Sequence, residues 1–153
     1  MSNNPALQKL FDVAAMNAKR IFEDSGEVLP MWHVVDGNGD NLLLATPWTS
    51  DEEKRDIIVK LRELFRLRKV KRLVFMVEAW IAAVRADSEG ETPRPSEHPD
   101  RREVIIINAE DRDGSNLYGM YYILRPEHGP PTLSPLKLQA YDKTAGHMVG
   151  MLS

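Results

Sequence analysis

Leu73-Val74-Phe75-Met76-Val77-Glu78-Ala79-Trp80-Ile81-Ala82-Ala83-Val84 is the stretch on which the fold turns. Twelve mostly apolar residues suit either a buried helix or a central strand, and composition decides between them. The first half is rich in β-branched and aromatic side chains, which fit a pleated, enclosed surface better than a helix. The sequence therefore predicts a central strand, whose end the late alanines leave open. On a strand, Glu78 and Trp80 point to one side and Val77, Ala79 and Ile81 to the other.

Downstream, residues 85–101 carry Gly90, Pro93, Pro95 and Pro99 among charges. Each proline lacks a ladder donor, so an exposed loop is predicted. Glu103-Val104-Ile105-Ile106-Ile107-Asn108 reads as a strand, Asp111 to Asn116 as its turn, and Leu117 to Leu124 as the returning strand. From residue 126 to 153 the chain loosens, punctuated by Gly129-Pro130-Pro131 and Ser134-Pro135. The tail from Leu136 either adds an edge strand or lies over the sheet.

Upstream, Ser50-Asp51-Glu52-Glu53 is a capping box, the serine oxygen accepting from the Glu53 amide while the Glu53 side chain reaches back. Ile57, Ile58, Leu61, Leu64 and Phe65 follow at helical spacing, and periodicity breaks near Lys69. Before that helix, Met31 to Val35 and Leu42 to Ala45 flank Asp36-Gly37-Asn38-Gly39-Asp40, a hairpin signal. A first helix is predicted from Leu7, Leu10, Phe11, Ala14, Ala18, Ile21 and Phe22, with Asn4-Pro5 as its start and Gly26 as its stop.

The order helix, two strands, helix, three strands lacks the strict alternation that builds parallel sheets. Short turns between successive strands demand antiparallel pairing. The predicted class is α+β: one domain over residues 1–153, a twisted antiparallel sheet of about five strands, and two helices packed on one face.

Composition sets the outer limits. With 153 residues, 42% hydrophobic, one core is expected without covalent staples. The absence of cysteine excludes disulfides, thiolate metal sites and cysteine nucleophiles. Net charge is −3, so no global basic coat for nucleic acid exists, although a local patch is compatible with it. No apolar run reaches the ~18 residues of a membrane span, and the polar start lacks the pattern of a signal peptide. A cytoplasmic location is the expectation.

Several clusters resemble chemistry at first sight. Asp36 to Asp40 opens like a calcium loop, but the positions that need Gly and Glu hold Asn41 and Pro47. Asp111-Arg112-Asp113-Gly114 reads the same way, as a turn. The segment His98-Pro99-Asp100-Arg101-Arg102-Glu103 gathers a histidine and two acids at a loop end. A metal held by His98, Asp100 and the distant His33, with Glu103 as base, is conceivable. The spacing matches no metal signature, however, and His128 and His147 add none, so no metal and no cofactor is predicted. No nucleophile elbow or phosphate loop is present. Glu78, a carboxylate on a central strand, is the best general acid or base if its face forms a cleft.

Lys60, Arg62, Arg66, Arg68, Lys69, Lys71 and Arg72 make the end of the second helix basic, with Glu63 the one acid between them. The helix dipole explains part of this run. The rest suits nucleic-acid phosphates or an acidic protein surface.

The stretches Val77-Glu78-Ala79-Trp80 and Pro95-Ser96-Glu97-His98-Pro99-Asp100-Arg101-Arg102-Glu103-Val104 resemble small uncharacterised proteins of bacteria and their phages. The resemblance covers about a quarter of the chain and implies a prokaryotic or phage origin. It brings no activity and no site residues.

Three functional readings follow. The first is a non-enzymatic accessory or interaction module, self-associating or binding a protein partner, with strands rich enough in Tyr and Trp to form an interface. The second is a metal-assisted hydrolase using Glu78, His98, Asp100 and Glu103. The third is nucleic-acid binding through the basic helix end.

Overall fold

The structure is a computed structural model, and it describes residues 4–81, 102–139 and 151–152. Helix α1 spans Pro5–Ser25. Its start is fixed by Asn4, whose side chain accepts from the Leu7 amide at 3.0 Å, and by Pro5 in the first turn. Gly26 ends it at φ 79°, donating its N–H to the Phe22 carbonyl at 2.7 Å. Strands β1 (Met31–Val35) and β2 (Asn41–Ala45) form the hairpin. Helix α2 (Asp51–Leu67) follows, its Ser50 oxygen accepting from the Glu53 amide at 3.1 Å. Only half of the capping box forms as predicted, because the Glu53 carboxylate accepts from the Thr49 hydroxyl at 3.0 Å.

The decisive stretch is strand β3 (Arg72–Ile81), paired along its whole length with β4 (Arg102–Asp111). Strand β5 (Asn116–Leu124) returns beside β4. On its far side β5 pairs with two short strands, β6 (Thr132–Leu133) and β7 (Lys137–Gln139). The sheet runs β2-β1-β3-β4-β5-β6, with β7 also on β5, and every pairing is antiparallel. Among the described residues it has seven strands rather than about five. The additional two lie in the segment read as loose: β7 is the edge strand that was one alternative for the tail from Leu136, and β6, two residues long, is too short to leave a period in the sequence.

The placement of the helices differs from the expectation as well. Val74 and Met76 pack with α1 through Leu7, Phe11, Ala18 and Phe22. Their neighbours Leu73 and Phe75 pack with α2 through Ile58, Leu61 and Phe65. Successive strand residues face opposite sides, so the two helices cover opposite faces of the sheet instead of sharing one. The physical reason lies in β3 itself. Its apolar run does not alternate, and a strand buried on both sides needs cover on both.

Trp32 ties the second layer together. It is fully buried, packed edge-on to Phe65 at 5.6 Å and against Phe75 at 4.3 Å, and its indole N–H donates to the Thr46 hydroxyl at 2.9 Å. Met151 and Leu152 join the same cluster, the Leu152 amide donating to the buried Glu110 carboxylate.

Candidate functional site

Strand register brings Glu78 and Glu103 to the same face, since Trp80 pairs with Glu103 and Glu78 with Ile105. Glu78 is half-buried and accepts from the Val28 amide at 2.9 Å. Burial raises its pKa above the ordinary carboxylate value, the Val28 hydrogen bond works against that rise, Glu27 and Glu103 add to it, and Arg125 opposes it. Glu103 is held by a forked ion pair with Arg125, whose Nε and Nη2 both donate to it. A cleft of ≈600 Å³ at this end of the sheet is lined by Trp80, Arg102, Glu103, Tyr122 and Arg125 among others, and Glu78 is not one of them. Thus the two acids are near neighbours, one committed to a backbone amide and the other to a guanidinium. His98 and Asp100 lie outside the described residues, as does His147.

The remaining metal candidates resolve into structure. His33 Nε2 hydrogen-bonds Asn41 Oδ1 at 2.9 Å across the hairpin. Asp36 is buried and accepts from the Asn38 and Asp40 amides, so the calcium-like loop spends its first carboxylate on its own backbone. Asp111 does the same for Asp113 and also accepts from Arg72 at 2.9 Å. Among the described residues no group of three His, Asp or Glu side chains is placed to hold a metal.

The seven cations do not form one patch. Arg66 is paired with Glu63 and Arg72 with Asp111, while Arg68 stands 3.9 Å from Asp36. Arg62 and Arg66 share a flank of α2, where with Arg112 they line a second cleft of ≈420 Å³. Lys60 precedes Arg62 by about 200° around the helix and so leaves from nearly the opposite side. Lys69 and Lys71 are exposed at the helix end.

A different feature stands out, which reading the sequence missed. Strand β2 pairs with β1 and with no other described strand, so it forms an edge of the sheet. Its sequence, Asn41-Leu42-Leu43-Leu44-Ala45, contains neither charge nor proline, the usual protections of an edge. Leu42 and Leu44 pack beneath α2, whereas Leu43 is 63% exposed on the other face. The far edge contrasts with it: β6 and β7 are short, flanked by Pro130, Pro131 and Pro135, and carry Lys137. The signal for β2 was present as three uncharged leucines in a row. Which strand is outermost, however, depends on the strand order, and that is not readable from spacing.

No protein-family model matches the sequence, and no curated protein or solved structure matches it either. No described helix is long and apolar enough to cross a membrane.

Proposed function

We propose that the protein is a non-enzymatic interaction module that engages another polypeptide by adding a strand at β2. The observation that carries this reading is the outer edge of β2, which no other described strand pairs, uncharged, free of proline and bearing the exposed Leu43. An open edge offers a row of backbone donors and acceptors that an added strand satisfies, and alternate side chains supply the selectivity. The competing readings have less behind them. Glu78 and Glu103 already have partners that an acid or base would have to release. Of the seven cations only Lys60, Arg62 and Arg66 lie on α2, the others follow it as far as Arg72 at the start of β3, and two are in close ion pairs.

A fluorescently labelled peptide of the sequence Asp40–Thr46, titrated into dilute full-length protein, tests the reading. Binding is expected, with loss of at least tenfold in affinity for Leu43→Pro. Because the Leu43 N–H faces away from β1, that substitution removes no bond from the existing ladder. A peptide that does not bind, or binds both proteins equally, overturns the reading.

A further inference from the structure

The hydrogen bonding of the β1–β2 hairpin shows which backbone groups of β2 are available. The Thr46 amide donates to Pro30 and the Asp36 amide to Asp40, both at 2.9 Å. These pairs bracket the ladder in which Trp32 faces Leu44 and Val34 faces Leu42. In an antiparallel pair, bonded and non-bonded positions alternate. Leu42, Leu44 and Thr46 therefore direct their groups to β1, and Asn41, Leu43 and Ala45 direct theirs to the open side.

Resting on the strand-addition reading, we infer that the occupant of the edge is a second copy of this chain, its β2 running antiparallel about a two-fold axis at Leu43. In this register Leu43 meets Leu43 of the partner subunit, and Asn41 meets Ala45 of the partner subunit on each side of the axis. All the outward-facing positions become bonded pairs, each exchanging two hydrogen bonds. Asp40 faces Thr46 of the partner subunit, so no carboxylate opposes a carboxylate. The two exposed leucines bury one another on the face that α1, lying over β3, β4 and β5, leaves open at this end. A two-fold contact uses the same edge on both copies, and the far edge is blunted by β6 and β7, so the assembly closes at two. The seam spans about 17 Å of strand. Stable interfaces begin near ~1,200 Å², so a weak, concentration-dependent dimer is the form this edge supports.

The chain has no cysteine, so a single introduced thiol reports its own neighbours. Leu43→Cys is expected to give a disulfide-linked dimer under mild oxidation. Ala45→Cys alone is expected to stay at the background set by Val59→Cys, a distant exposed position on α2. About four residues of strand, ~13 Å, separate Ala45 from Ala45 of the partner subunit, beyond the ~7 Å that a disulfide tolerates between Cα atoms. Mixing Ala45→Cys with Asn41→Cys is expected to restore cross-linking several-fold above that background. Cross-linking of Ala45→Cys alone at the level of Leu43→Cys overturns the register. Background levels throughout overturn the second copy as partner, and if the Asp40–Thr46 peptide still binds, strand addition itself survives.

Discussion

Glu78 sits half-buried near Glu27, Glu103 and Arg125 and accepts a hydrogen bond from the Val28 amide. Burial is the largest influence on it and raises its pKa above the ordinary value of 4.5. The folded chain therefore holds this proton more tightly than the unfolded chain does. Stability associated with Glu78 is greatest below the unfolded pKa and falls as pH rises through 4.5 and the raised folded value. Glu78→Gln keeps an oxygen for Val28 and removes the charge. Relative to wild type it is expected to gain in denaturant midpoint between pH ~4 and ~7.5. A gap that is constant, or that shifts in favour of wild type at higher pH, contradicts the assignment. Period-two spacing was enough to place Glu78 and Trp80 on one face, as the register bears out. The partners that occupy Glu78 and Glu103 come from Val28 and Arg125, fifty and twenty-two residues away, and such long-range meetings leave no spacing to read.

At the scale of elements, local signals and packing carry different weights. Ser50 fixes the start of α2, but its cap is an exposed hydrogen bond. Ser50→Ala is expected to cost about 1 kcal/mol. Trp32, wedged between Phe65 of α2 and Phe75 of β3, holds the helix to the sheet. Trp32→Ala is expected to cost ~3–5 kcal/mol through the cavity and lost contacts. Urea melts of the two variants check the order, and equal losses would mean that α2 is held by its termini rather than by its face. Both helices and the first five strands were legible because caps, turn residues and apolar periods each mark them locally. Strand β6 was not, being two residues long, and β7 takes the edge-strand alternative that the tail from Leu136 left open. The side on which each helix packs was written in Leu73-Val74-Phe75-Met76, whose unbroken apolar run demands cover on both faces.

For the whole molecule, the consequence of that two-sided cover is an asymmetry between the sheet's ends. Helices enclose the centre, short strands flanked by prolines and carrying Lys137 blunt one edge, and β2, itself uncharged and free of proline, pairs on one side only among the described residues. Bare edges are liabilities that folded proteins ordinarily protect, so an unprotected one is the place to look for a partner. At the cleft beside Glu103 and on the flank of Arg62 and Arg66, Glu103 is already held by Arg125 and Arg66 by Glu63. Sedimentation equilibrium of the full chain, across a series from low micromolar to near millimolar, tests this most directly. The mass is expected to climb from the 17.4 kDa of one chain toward twice that value, and a Leu43→Lys variant to remain at one chain because two ammonium groups would face each other across the axis. A wild type fixed at 17.4 kDa throughout, or a Leu43→Lys variant that associates as readily as wild type, would contradict it.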